Sequence, residues 1–74
     1  MNQMENRKVE RIRKEYPEGT RVELVYMNDP YTKLKKGIQG NVDFVDDSGT
    51  VHTRWDNGTR LGAVLDAGDE IRKI

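Results

Sequence analysis

Side chains that could take part in catalysis are concentrated between residues 40 and 58. This stretch carries the only histidine of the chain, His52, its only serine, Ser48, and its only tryptophan, Trp55. Hydrolytic catalysis needs a nucleophile and an orienting carboxylate within hydrogen-bond reach of the imidazole. Ser48 lies in a predicted turn four residues before His52, and this placement does not favour a dyad. We expect His52 on a strand surface, with ligand contact as its alternative role.

Acidic residues in the same stretch raise the question of a cation site. The four aspartates concerned are Asp43, Asp46, Asp47 and Asp56. A calcium loop beginning at the first of them would need glycine in place of Ser48 and a bidentate glutamate in place of Arg54. Aspartate is also common in turns, because its carboxylate bonds nearby backbone N–H groups. The sequence therefore favours turn residues over ligands, and we predict neither a metal nor a cofactor.

Composition narrows the class of protein. The 74 residues correspond to one domain with a small core. The chain has no cysteine, so disulfides and thiolate zinc sites are excluded, and a reducing cytoplasm is the expected location. We find no phosphate-binding glycine loop and no recognisable pair of catalytic carboxylates, so we predict that the protein is not an enzyme. Long apolar stretches and targeting segments are also lacking, and we expect no membrane association.

Charge is balanced overall but unevenly distributed. Residues 1–40 contain nine lysines and arginines against six acids, and residues 41–74 contain four against seven. The sequence pI is near 6.6. Duplex-binding modules usually have a high pI and a concentrated basic field, so this composition argues against strong non-specific binding to nucleic acid.

The N-terminal segment, residues 2–16, has a helical pattern. Val9, Ile12 and Tyr16 fall on one narrow face, and Pro17 ends the segment because its ring disfavours helical geometry in the preceding residue. We predict a helix over residues 1–16 and a barrel over residues 17–74, within a single domain. The pattern leaves open whether the helix packs on its own barrel or on another subunit.

Five strand patterns follow, at residues 21–27, 40–46, 50–55, 60–64 and 70–74, with a short helical turn over 65–69. Val22, Leu24 and Tyr26 are expected on one face of the first strand. Gly49 predicts a tight turn with positive φ, and Asn57-Gly58 predicts a type I′ turn. The predicted fold is mainly all-β, a small SH3-like five-stranded barrel with an N-terminal α-helix.

Three segments together resemble a family of small domains of unknown function with an SH3-like barrel. They are Arg21–Tyr31, Gly37–Val42 and Val45–Gly58, and the likeness runs from about Tyr16 to the C-terminus. Such domains occur in bacteria, particularly in phages and other mobile elements. The resemblance implies a fold, a genomic setting and a location in the cytoplasm of a bacterial host; it implies no activity.

The longest predicted loop, over residues 28–37, follows the first strand and is basic, and long loops are often functional. In SH3-like barrels this loop lies near the third and fourth strands, so we predict that it faces the hairpin around Trp55. Alternation favours burial of Trp55, although its ring could still expose an edge at the barrel rim. The predicted binding residues are Met27, Asn28, Asp29, Tyr31, Lys33, Lys35, Lys36, His52, Arg54, Trp55 and Arg60. The alternatives are a rigid corner at residues 28–30, a Tyr31 that covers the core edge, and a solvated lysine loop.

Two functions remain open for such a surface. The first is a non-catalytic protein-interaction or regulatory adaptor of a phage or mobile element, favoured by the zero net charge. The second is a nucleic-acid or nucleotide binder, including a phage anti-defence protein that sequesters a host signalling nucleotide, favoured by the lysine-rich loop. We also predict a homo-oligomer, because the apolar content is low for a self-sufficient core.

Overall fold

The computed structural model describes residues 3–28 and 34–74, and of residues 3–5 only the backbone. An N-terminal helix precedes five strands, with one 3₁₀ turn before the last strand. The elements are α1 (Gln3–Glu15), β1 (Arg21–Tyr26), β2 (Gln39–Val45), β3 (Val51–Trp55), β4 (Arg60–Ala63), the 3₁₀ turn η1 (Leu65–Ala67) and β5 (Glu70–Lys73). The predicted order of elements is confirmed. In the described part of the chain, no helix combines the length and apolar character needed to cross a bilayer.

The strands form one antiparallel sheet in the order β4-β3-β2-β1-β5. Val22 of β1 pairs with Gly40 of β2 on one side and with Lys73 of β5 on the other. The first strand therefore joins the meander β2-β3-β4 to the last strand. The architecture is mainly β with an N-terminal helix, as the sequence predicts.

The core lies on one face of this sheet. Val22 and Val51 have no exposed surface, and Leu24, Val42 and Trp55 are at most 2% exposed. These residues alternate along their strands with residues that are wholly or partly exposed, as expected when one face of an antiparallel sheet is buried.

A β-bulge interrupts the alternation in β2. Val42 lies opposite Thr53, but the next pair of partners is Phe44 and His52, so β2 has one extra residue at Asp43. A bulge turns the following side chains to the opposite faces of the sheet. Phe44 is consequently 51% exposed, although strict alternation would place it with Val42 in the core.

A second register shift affects the end of β1. It lies between Leu24 and Tyr26, where β1 pairs with β5. Tyr26 is 54% exposed, so the expectation that it shares the buried face of Val22 and Leu24 is wrong. The cause is again an irregularity in pairing that a period-two pattern does not reveal.

Both hairpin turns use glycine at a left-handed position. Gly49 has φ 86° and Gly58 has φ 87°, and their N–H groups bond the carbonyls of Asp46 and Trp55 respectively. No described non-glycine residue, Asn57 included, has positive φ. The type I′ prediction for Asn57-Gly58 is therefore wrong, because that turn needs positive φ at both central residues. The geometry is instead a three-residue loop that ends in a left-handed glycine.

Helix α1 packs on its own sheet. A Cβ on Gly49 would lie 3.3 Å from the Cδ1 of Ile12 and 3.7 Å from a methyl of Val9, so the helix lies close against this turn. Arg13 Nε donates to the carbonyl of Val45 at 3.2 Å, and its Nη2 lies 2.7 Å from the Asp47 carboxylate. The predicted apolar stripe of the helix is its docking face.

Candidate functional site

The exposed side of β2, β3 and β4 brings together polar, aromatic and cationic side chains. His52 of β3 lies opposite Phe44 of β2 and Gly62 of β4, while Arg54 of β3 lies opposite Asn41 and Arg60. Cross-strand partners share a face of the sheet, and residues two apart on one strand do as well. We define the outer face as the surface formed by Asn41, Phe44, His52, Arg54, Arg60 and Gly62.

Phe44 and His52 form an aromatic pair on the outer face. Their ring centroids are 4.4 Å apart and their planes differ by 12°. Phe44 is about half exposed, and the His52 side chain is 37% exposed. Stacking on His52 covers one face of the Phe44 ring, and about half of the residue stays exposed to solvent.

Asp46 orients the histidine. Its Oδ2 lies 2.8 Å from Nε2 of His52, and its Oδ1 accepts hydrogen bonds from the backbone N–H and hydroxyl of Ser48 and from the N–H of Thr50. The hydrogen bond to His52, followed by those to the backbone and hydroxyl donors, holds the pKa of Asp46 well below its usual range, against the opposing effect of burial. Asp46 is therefore an ionised acceptor for four donors.

This constellation contains a serine, a histidine and an aspartate, but it is not a catalytic triad. Ser48 and His52 bond the two oxygens of the same carboxylate. A triad requires the serine hydroxyl to bond the imidazole so that the imidazole can take its proton. Asp46 instead stabilises the turn through its hydrogen bonds to Ser48 and Thr50. The sequence predicts Asp46 as a turn residue, but it does not predict the bond to His52.

Two arginines face each other beside the aromatic pair. Arg54 and Arg60 are cross-strand partners, and both are exposed. Neither side chain forms a hydrogen bond or ion pair with another described residue. Like charges directly opposite each other on a sheet destabilise it, by a few tenths to about 1 kcal/mol. The pair is therefore a source of positive potential that no described acidic side chain neutralises by direct contact.

Acidic groups lie near one of these arginines. Glu18, Asp43 and Arg54 line a shallow depression together with Asn41. The carboxylates are farther than ion-pair distance from the guanidinium. They place negative charge on the β2 side of Arg54, whereas Arg60 lies on its β4 side.

Trp55 is a core residue. It is 2% exposed, and its indole N–H donates to the carbonyl of Leu61 at 3.0 Å. The burial of Trp55 that strand alternation predicts is confirmed. Its ring exposes no edge at the rim, because β4 covers the indole nitrogen. Trp55 has almost no surface with which to contact a ligand.

The loop after β1 is only partly described. Asp29, Tyr31 and Lys33 lie outside the described residues, so the predicted convergence of the loop with the hairpin stays a prediction. Lys35 and Lys36 are exposed, and Met27 packs against the core.

Asn28 is anchored away from the outer face. Its backbone N–H donates to the buried Asp69 at 2.7 Å, and its side-chain amide donates to the carbonyl of Ala67 at 2.9 Å. These bonds tie the start of the loop to the segment between η1 and β5. They fit the alternative of a rigid corner at this point.

Two further aspartates of the hairpins, Asp56 and Asp47, form ion pairs. Asp56 makes a bidentate ion pair with Arg21, whose guanidinium also reaches Gln39 at 3.3 Å. The hydrogen bond from Arg21 lowers the pKa of Asp56. Asp47 pairs with Arg13 of the helix. Within residues 3–28 and 34–74, no three acidic or histidine side chains are grouped so that they could hold a metal ion.

A groove of about 330 Å³ lies between α1 and the β2–β3 turn. Val9, Ile12, Val64 and Leu65 line its apolar part, and an ion pair between Lys8 and Asp66 links the helix to η1. None of the residues predicted to bind a ligand lines this groove.

Sequence reasoning missed Phe44 as a member of the site. The chain has one phenylalanine, and the alternation of β2 places it on the buried face. Only the pairing of β2 with β3 shows the bulge that exposes it. The exposed aromatic side chain that β2 contributes to this surface is therefore Phe44, whereas Trp55 is buried.

Comparison with known proteins identifies a family that this chain matches. The family described as Domain of unknown function (DUF4314) matches residues 5–74. No curated protein and no solved structure matches the chain.

Proposed function

The chain belongs to the DUF4314 family, whose description names no activity, and from the site itself we propose that it is a non-catalytic binding module that uses the outer face. The proposed ligand is a nucleotide unit, free or within a single strand. Its base would stack on Phe44, and its phosphate would lie at Arg54 and Arg60. Positive side chains beside an exposed aromatic ring are the combination that recognises unpaired nucleotides.

The observation that carries this proposal is the unneutralised arginine pair beside the stacked rings. An isolated cross-strand pair of arginines costs stability, and an anion bound between them would offset that cost. The exposed face of Phe44 likewise loses contact with water when a base covers it. A ligand that has both a planar ring and an anionic group would cover Phe44 and neutralise the arginine pair.

A protein-interaction adaptor is the second candidate. Large apolar side chains are exposed elsewhere on the domain, among them Tyr26 at 54% and Ile74 at 64%. Phosphate recognition weakens steeply as salt rises, whereas an apolar contact barely responds, so salt dependence separates the two candidates.

The test is a fluorescence-anisotropy titration of labelled single-stranded oligonucleotides at several salt concentrations. We expect binding to wild type that weakens at high salt, and a loss of at least tenfold with Phe44→Ala or with the double variant Arg54→Gln/Arg60→Gln. Arg11→Gln is the matched control, because Arg11 is an exposed arginine on α1. Wild type that does not bind, or an equal loss with Arg11→Gln, would contradict the proposal.

The loop after β1 is proposed as a second wall of the same site. Its lysines would add positive charge, and Tyr31 would add a second ring. Tyr31→Ala and Lys35→Ala are each expected to weaken binding in the anisotropy titration. If neither changes the affinity, the loop takes no part and the outer face acts alone.

We also propose that the fold is an SH3-like barrel and that the protein comes from a phage or another mobile element. Support for an SH3-like barrel comes from the position of β1, which pairs with both β2 and β5 and so brings the first and last strands together. The setting in phages and mobile elements, and a cytoplasmic location in a bacterial host, rest on the sequence resemblance alone.

A further inference from the structure

Two acidic side chains border the outer face along β2. Glu18 and Asp43 line the shallow depression that also contains Arg54, and both also line the neighbouring depression beside Phe44. Neither carboxylate forms a hydrogen bond or ion pair with another described residue. The surface next to Phe44 on this side is therefore negatively charged, and no described cation neutralises that charge by direct contact.

The free positive charge of the outer face lies on its other side. Cross-strand pairing places Arg60, Arg54, Asn41 and Arg21 in one row across β4, β3, β2 and β1. Arg21 is bound by the Asp56 carboxylate, whereas the side chains of Arg54 and Arg60 bond no other described residue. The row therefore presents two available guanidiniums, and both lie on the β3–β4 side, away from the acidic border.

This separation of charge limits how many phosphates a bound nucleotide can place on the surface. Within a strand, each sugar carries a phosphate on its 5′ side and another on its 3′ side. When the base covers Phe44 and one phosphate lies at the arginine pair, the other phosphate is directed back across β2, towards Asp43 and Glu18. Like charges brought together at a binding surface oppose association. A nucleotide with phosphate on one side of its sugar avoids this repulsion.

We propose that the outer face selects a free nucleotide over a nucleotide unit within a strand, with Asp43 and Glu18 as the residues that disfavour the strand. This inference rests on the proposed function and narrows its ligand. A phosphomonoester carries a charge of about −1.5 to −2 at neutral pH, which matches two guanidiniums. The planar guanidinium also suits a phosphate that has three free oxygens. Selection of this kind combines attraction to one ligand with repulsion of its competitor.

The test compares two ligands that differ only in a second phosphate, adenosine 5′-monophosphate and adenosine 3′,5′-bisphosphate. Each ligand is titrated into ¹⁵N-labelled wild type, and its affinity is obtained from the shifts of the backbone amide signals in ¹H–¹⁵N NMR spectra. We expect the monophosphate to bind about tenfold more tightly, although the bisphosphate carries more negative charge. A surface that is only basic gives the opposite order, because each added phosphate contact strengthens binding.

The double variant Glu18→Gln/Asp43→Asn tests the role of the two acids. Both replacements remove the charge and nearly keep the size of the side chain. The affinity for the bisphosphate should therefore rise by about tenfold, more than the affinity for the monophosphate, so that the preference disappears. Glu70→Gln is the matched control, because Glu70 is an exposed acid on β5. This control should retain the preference of wild type.

A third titration, with single-stranded oligo(dA), extends the comparison to a strand. We expect wild type to bind oligo(dA) more weakly than the monophosphate. Equal or tighter binding of the bisphosphate or of oligo(dA) overturns this inference alone, as does a preference that the double variant retains. Failure of wild type to bind any of the three ligands overturns the proposed function and this inference together.

Discussion

The ring of Phe44 lies parallel to the imidazole of His52, within 12°, on the exposed side of the sheet. The bulge at Asp43 creates this relationship, since without the extra residue Phe44 would point into the core. The same irregularity keeps Val42 and Val45 buried on the opposite face. The sheet thus exposes the only phenylalanine of the chain while Val42 and Val45 stay in the core.

Phe44→Ala is predicted to change binding far more than stability. The side chain is half exposed, so its removal should cost at most about 1 kcal/mol of unfolding free energy, chiefly from the lost stacking on His52. Urea unfolding measures this cost, and anisotropy measures the lost affinity. Tyr26→Ala is the control, because Tyr26 is equally exposed but belongs to β1. A destabilisation above about 3 kcal/mol would assign Phe44 to the core.

Arg60→Glu is predicted to stabilise the fold and abolish phosphate binding. Glutamate opposite Arg54 replaces a like-charge pair by an attractive one, which is worth a few tenths to about 1 kcal/mol. Thermal unfolding at low salt should show a higher midpoint than wild type, and the gain should shrink as salt rises. A lower midpoint would show that Arg60 makes a stabilising contact.

Asp46→Asn is predicted to destabilise the domain in a pH-dependent manner. The pKa of Asp46 is lowered in the folded protein, so its contribution is present above the unfolded value near 3.9 and declines as pH falls below it. Urea unfolding at pH 6 should show a loss of about 1–3 kcal/mol. The difference from wild type should narrow as pH approaches 2.5. A constant difference over this range would disprove the role of the ionised carboxylate.

Arg21→Lys is predicted to lower the thermal midpoint although the charge is kept. Lysine cannot reproduce the bidentate bond to Asp56 and the additional bond to Gln39. Arg11→Lys is a suitable comparison, since Arg11 is an exposed arginine whose side chain makes no hydrogen bond or ion pair with another described residue. Equal midpoints for the two variants would mean that the geometry of the Arg21 contacts contributes nothing.

Self-association is predicted from the small core and the exposed apolar side chains of Tyr26, Val64 and Ile74. Sedimentation velocity at micromolar concentration should show a species heavier than the 8.6 kDa chain. A stable monomer under these conditions would rule out the homo-oligomer. The same run with Phe44→Ala tests whether the outer face contributes to the contact.

Local sequence predicted the elements of this fold well. The stripe of Val9, Ile12 and Tyr16 is indeed the packing face of α1, because helical spacing alone places these residues together. Gly49 and Gly58 occupy the left-handed positions of their turns, since other residues avoid positive φ. The prediction for Tyr26 was wrong, and Phe44 was missed as an exposed residue, because strand pairing overrides local pattern at both positions.

The sequence by itself therefore determined the order of helix and strands, the turn glycines and the burial of Trp55, since each depends on local conformational preference or on simple alternation. Tertiary structure alone decided the candidate site. The bulge that exposes Phe44, the opposition of Arg54 to Arg60 and the bond from Asp46 to His52 all depend on the register between neighbouring strands. Register is a property of paired strands, and a shift by one residue moves every following side chain to the other face.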